Sequence, residues 1–320
     1  MSSVKVSPAN PAAVLVTDGS ARGPVRKRKN HRRPWIGWIF TGPFALAFIA
    51  FLIVPLIYAF ALSLQNKTLF AGTVFVGFDN YVKAFTDPLF LSGVWLVIRF
   101  CVVLIPVQMV VSLIAALVLD SLTTGFSKFA RLAIFAPYAV PAVIGAIMWG
   151  FLYSRNFGPA SDLAAAVGGS APNLLSPDNV FGSLVNIVTW QWAGYYMIII
   201  YAALKSIDPT LYESAKLDGA NAFQVAMRIK IPMVSSALVL VLIFALIGTM
   251  QFFTEPQILR SVAPGSINSS FTPNIYAYTV AFAYGQFNYA SAISFALGIV
   301  VFIGSFIFMM ATSRKSGILK

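Results

Sequence analysis

Charged side chains are spaced so far apart in this chain that the gaps between them, more than any other feature, limit what it can fold into. Nothing between Pro34 and Asn66 is charged, and only Arg99 interrupts the stretch from Asp87 to Asp120. Further gaps run from Arg131 to Arg155, Asp178 to Lys205, Lys230 to Glu255 and Arg260 to Arg314. A charge at the bilayer centre costs about 2.5–3.5 kcal/mol on insertion scales, and ~20 apolar residues in a helix cross the hydrocarbon core. The gaps therefore predict about six transmembrane helices, which satisfy their own backbone hydrogen bonds in lipid. The first is expected over 38–62, the second near 93–119 and the sixth near 289–312. Pro264, Gly265, Asn268, Ser269, Ser270 and Pro273 mark the start of the last gap as a loop. With 58% of the 320 residues hydrophobic and 10% charged, the chain has more apolar surface than a soluble domain can hide. The expected fold class is an all-α transmembrane bundle.

Seventeen Lys and Arg fall in the N-terminal tail, the second and fourth loops and the C-terminus, against four (Lys67, Lys83, Arg155 and Arg260) in the other connections. By the positive-inside rule both termini are expected in the cytoplasm, which requires an even number of spans. This gives a tail over 1–34, a first helix and external loop over 35–92, a core of five spans over 93–312, and a C-terminus over 313–320. The tail lacks apolar periodicity and is expected to be disordered. Its run VRKRKNHRR also fits a nucleic-acid patch. Beside a span, however, such a run suits anionic lipid, so lipid is the expected partner. The sequence Ala59-Phe60-Ala61 resembles a signal-cleavage site, but the apolar run before it is longer than a signal h-region, and an uncleaved helix is the favoured reading.

The chain has no G-x-x-x-x-G-K-[ST] phosphate loop and no H-E-x-x-H. Its one histidine, His31, lies in the tail, and its one cysteine, Cys101, has no partner for an intrachain disulfide. An intramembrane enzyme would need a nucleophile with a base, and neither a histidine nor a carboxylate is expected inside the spans. The same shortage of intramembrane carboxylates leaves no relay for a proton-coupled carrier. Energy for uphill transport is expected from another subunit.

The apolar character breaks in the fourth loop, over 206–231. Asp208 can cap a helix whose first residue is Pro209. Tyr212, Ala215 and Gly219 fall on one face, and Gly219 is expected to end or bend the helix. A second amphipathic stretch follows from Ala222 to Lys230, before Pro232 restarts a span.

Glu213-Ser214-Ala215, then Gly219, then nine residues and Ile229-x-Ile231-Pro232 resemble the EAA motif of binding-protein-dependent ABC importer permeases, E-A-A-x-x-x-G-x9-I-x-L-P. Ser214 and Ile231 are conservative departures, and Leu217-Asp218-Gly219-Ala220 is similar to the sugar-importer branch. Further similarities are Phe78-Asp79-Asn80-Tyr81 with Phe85 and Asp87, Pro137-Tyr138, Trp149, Phe157-Gly158, and the run from Ala281 to Ala292. Around 258–265 the chain departs from the family's T-x-G-G-P, which leaves the identity of the binding protein open.

The resemblance implies a multi-pass protein of a bacterial or archaeal cell membrane. It also implies a second permease chain, in a heterodimer, two cytoplasmic ATPase subunits that bind the ATP, and an extracytoplasmic solute-binding protein. This chain itself would hold no cofactor. Glu213, Ser214, Ala215, Asp218, Gly219, Ala220 and Pro232 would form the surface gripped by an ATPase subunit, with small side chains allowing close approach and Glu213 offering a charge.

Residues expected along the solute path are Tyr138, Asn186, Trp190, Gln191, Tyr195 and Gln251, because amides and aromatic faces suit sugar hydroxyls and ring CH groups. The same residue types also serve as helix-packing groups in any bundle. Arg99 fits either a charge snorkelling to the interface or a fixed cation for an anionic solute. A secondary carrier or channel for a small polar solute would share the hydropathy but would not explain the motif.

Overall fold

The computed structural model describes residues 34–68, 72–121, 126–155, 158–166 and 172–316. The basic tail up to residue 33, with its expected disorder and lipid contact, lies outside the described residues, as do Phe157 and 317–320. The chain divides into two compact units, Met1–Ile53 and Val54–Lys320. In the first, α1 (Pro34–Phe48) leads into a π-helical turn, Ile49–Ile53.

The second unit begins with α2 (Val54–Ser63) and a hairpin of β1 (Gln65–Thr68) and β2 (Gly72–Phe75), paired from Gln65↔Phe75 to Thr68↔Gly72. Next come α3 (Asp79–Thr86), the long α4 (Pro88–Ser121), α5 (Phe126–Ala139), α6 (Ala142–Leu152), α7 (Pro159–Ala166) and α8 (Val180–Lys205). The fourth loop holds α9 (Pro209–Leu217), α10 (Ala222–Val225), a π turn Ala226–Lys230 and α11 (Ile231–Met233). α12 (Ser235–Met250), α13 (Thr254–Leu259), α14 (Pro273–Tyr278) and α15 (Phe287–Ser316) complete it.

Among the described residues, five helical stretches are long and apolar enough to cross a membrane: Ile39–Ser63, Pro88–Ser121, Val180–Lys205, Ser235–Leu259 and Phe287–Phe306. The sixth candidate among the described residues is a bent pair of helices, the geometry of a broken span or of a re-entrant loop. Where an unbroken helix between Arg131 and Arg155 was expected, α5 and α6 meet at 97°. Pro141 has no amide to donate and disfavours helical geometry at Val140, so the first helix stops there. The freed Val140 carbonyl accepts a hydrogen bond from Gln191 Nε2 at 3.2 Å.

Two other expectations need correction. Glu255, placed outside the fifth span by its charge, lies within Ser235–Leu259 and is buried, so that span does contain a carboxylate. The stretch after Arg260 is not all loop. Thr272 caps α14 by accepting from the Ile275 amide, with Pro273 at the first helical position.

The core is built around α4 and α8. On α4, Val97, Phe100, Leu104, Gln108, Ser112, Ala116 and Leu119 are buried at three- and four-residue spacing. Lipid gives no hydrophobic reason for two apolar helices to associate, so polar bonds and close packing must hold them. Gln108 Nε2 donates to the Val188 carbonyl at 3.3 Å, and Ser112 Oγ donates to that of Ala193 at 3.0 Å. The outward faces carry Trp95, Val102, Phe151 and Phe302, all more than half exposed, as a lipid-facing surface requires.

Candidate functional site

The loop between α8 and α12 is shaped by local rules. Asp208 Oδ1 accepts from the Thr210 amide and hydroxyl, both at 2.9 Å, and these bonds hold its carboxyl below the usual carboxylate range. Gly219 stops α9 at φ +80°, a left-handed geometry that glycine adopts without penalty. Its amide bonds to Lys216 O at 3.0 Å, and the next amide, of Ala220, bonds to Ala215 O at 2.9 Å. This paired closure is a Schellman motif, which satisfies carbonyls of the last turn of α9. Asn221 then opens α10 through a reciprocal capping box with Gln224, a start signal carried by the spacing of those two residues.

The resulting helix-turn-helix displays one face and anchors the other. Glu213, Ser214, Asp218, Gly219 and Pro232 are exposed, and Ala215 and Ala220 are half-buried. Beside them stand two large apolar side chains, Leu217 at 89% exposure and Phe223 at 72%. On the anchored side, Tyr212 packs against the core and burial pushes its hydroxyl pKa up. Lys230 Nζ sits 4.9 Å from the Tyr212 ring centre and 2.6 Å from Asp120 Oδ2, while Lys205 Nζ lies 2.8 Å from Asp120 Oδ1.

Within the helices, a cavity of about 270 Å³ is lined by Leu104, Gln108, Val188, Trp192, Tyr196, Thr249, Gln251 and Glu255. Gln108 is almost wholly buried, and its Oε1 has no partner. An unmatched amide oxygen beside aromatic rings can take a hydroxyl donor from a polar solute. A second, more open cavity of about 780 Å³ shares Gln251 and adds Asn274, Tyr278 and Ser291.

The expected path residues do not form one cluster. Gln251 lines both cavities. Tyr195 stacks on Tyr138 at 4.6 Å between ring centres, and both meet the edge of Trp192. Asn186 Nδ2 donates to Tyr153 Oη at 2.6 Å, Trp190 packs edge-on to Trp149, and Gln191 is engaged at the Val140 break. Arg99 is exposed, with its guanidinium 5.9 Å from the Phe181 ring centre, and lines neither cavity. Gln108, Trp192, Tyr196, Thr249 and Glu255 were not anticipated. The usable signal for Gln108 was an amide isolated in an otherwise apolar run.

Comparison with known proteins places this geometry. No family model matches the chain. The lactose transport system permease protein LacF of Rhizobium radiobacter is 30% identical over 286 residues, covering 87% of this chain and 95% of that protein. The arabinooligosaccharides transport system permease protein AraP of Bacillus subtilis is 29% identical over 292 residues, covering 88% and 89%. Among solved structures, a chain of a bacterial ABC transporter involved in import of the acidic polysaccharide alginate superposes with a TM-score of 0.79 at 22% identity, covering 90% of this chain and 97% of that one. Motif, bundle and relatives agree, and the chain belongs to the binding-protein-dependent ABC transporter permeases of carbohydrate importers, multi-pass proteins of the cell membrane.

Proposed function

We propose that this chain forms part of the path by which a sugar or oligosaccharide enters the cell. In this reading the loop from Ser206 to Ile231 is the handle through which a separate ATPase drives transport. The observation that carries it is the exposed face of that loop, where Glu213, Leu217 and Phe223 project beside the small residues Ser214 and Gly219. A charge flanked by two large apolar side chains and close-approach positions is what a protein cleft can grip.

Both termini and this loop lie in the cytoplasm, as the Lys and Arg distribution supports. The chain pairs with a second, different permease subunit. Two ATPase subunits dock on the cytoplasmic loops, and a solute-binding protein delivers from outside. Closure of the ATPases on ATP moves the handle and rocks the spans between inward-open and outward-open states. Solute selection inside the membrane falls to the Gln108–Gln251 cavity, with Trp192 and Tyr196 as the sugar-facing rings.

Replacing Glu213→Lys tests the reading. Uptake by the assembled importer and co-purification of the ATPase should both be lost while membrane insertion is retained. Uptake at the wild-type rate would falsify the role of the loop.

A further inference from the structure

Asp120 stands at the far end of α4, yet its carboxylate is bonded to two lysines that belong to other parts of the fold. Lys205 is the last residue of α8, and Lys230 closes the π turn that leads from the fourth loop into α12. The distances are 2.8 and 2.6 Å, and the Asp120 side chain is only 6% exposed. One buried carboxylate therefore ties three helix ends together, across a separation of 110 residues in the case of Lys230.

The cations are held from behind as well. Lys205 Nζ lies 5.3 Å and the Arg131 guanidinium 4.9 Å from the Tyr201 ring centre, and Lys230 is held over Tyr212. A buried ion pair is poor evidence for stability, because desolvation offsets most of the attraction. Its better-attested use is to impose one register on elements that could otherwise slide.

We infer that Asp120 is a positioning residue for energy coupling: it carries movement of the fourth loop into α4, the helix that presents Leu104 and Gln108 to the internal cavity. The distance from Asp120 to Gln108 along α4 is roughly 18 Å at the helical rise. Apart from the clamp, the loop meets the bundle through its chain connections to α8 and α12 and through the apolar packing of Ile207 and Tyr212, contacts that carry no charge. The inference rests on the reading of the loop as an ATPase handle.

The test is hydrogen exchange in the assembled importer, with ATP as the probe, read separately over 209–230 and 112–121. In the wild type, ATP should change exchange in both segments. In Asp120→Asn the loop should still respond while the response over 112–121 shrinks at least about tenfold. Lys230→Gln, which leaves Asp120 paired with Lys205 and so strands no buried charge, should reduce that response too, and Asp120→Glu should restore it. An undiminished response over 112–121 in the Asn or Gln variant, or no recovery in the Glu variant, overturns the inference and leaves the ATPase handle intact. Failure of the wild-type loop itself to respond overturns the handle, and the clamp's role with it.

Discussion

Gly194 on α8 lies against the backbone of Ile134 on α5, so closely that a Cβ at position 194 would overlap the Ile134 carbonyl oxygen. The obstacle is main chain and cannot rotate away. Gly194→Ala should therefore force the two helices apart and destabilise the permease by about 1–3 kcal/mol. Thermal unfolding in detergent measures this, and an unchanged midpoint would count against the close packing.

Gly219 poses the opposite case, with positive φ but no atom within 4 Å of the place a Cβ would occupy. The penalty there is in the backbone alone, about 1–2 kcal/mol for an ordinary L-residue. Gly219→Ala should weaken retention of the ATPase subunit in pull-downs without disturbing membrane insertion. Gly219→Asn should do so less, since asparagine tolerates the left-handed region. Equal loss from both variants would point to a side-chain clash with the partner instead of strain.

Gln108 separates packing from transport. Gln108→Leu removes the bond to Val188 together with the unpartnered Oε1, and replacing a buried polar group by an apolar one of similar shape can be nearly neutral. Folding stability should stay within about 1 kcal/mol while sugar uptake falls roughly tenfold, the loss of one well-placed hydrogen bond to solute. If uptake is unaffected, the amide serves only to join α4 to α8.

Asp87, just ahead of α4, provides a pH test. Burial raises its pKa, but hydroxyl bonds from Tyr276 at 2.6 Å and Tyr289 at 2.8 Å, with the Leu89 amide, outweigh that and hold the carboxyl below its usual range. A lowered folded-state pKa adds stability that is fully present above the unfolded value, ~3.9, and is lost as pH falls through the folded value. The contacts of α4 with α14 and α15 should thus loosen only below about pH 4, by about 1–2 kcal/mol given the partial exposure. Asp87→Asn should abolish that dependence, as read from unfolding midpoints across a pH series.

Except between Arg131 and Arg155, where the helix is broken, the spans were legible because the cost of a charge in lipid is local and large, so gaps between charges set their approximate positions. The fourth loop was legible for a different reason. The Asp208-Pro209 start and the Gly219 stop act through bonds within four or five residues, so the sequence alone contains both partners. Glu255 was misplaced because the same charge rule assumes a lipid-facing site, whereas this carboxylate is buried within protein.

What the sequence determined by itself was the membrane class, the approximate spans and the form of the fourth loop, all set by short-range bonding and by transfer into lipid. Tertiary structure alone decided the 97° turn supported by Gln191, the seating of Gln108 and Gln251 at one cavity, and the pairing of Asp120 with Lys205 and Lys230. Those features join residues tens of positions apart, and which amide or charge meets which depends on how the helices rotate and cross, a choice made by packing across the whole bundle.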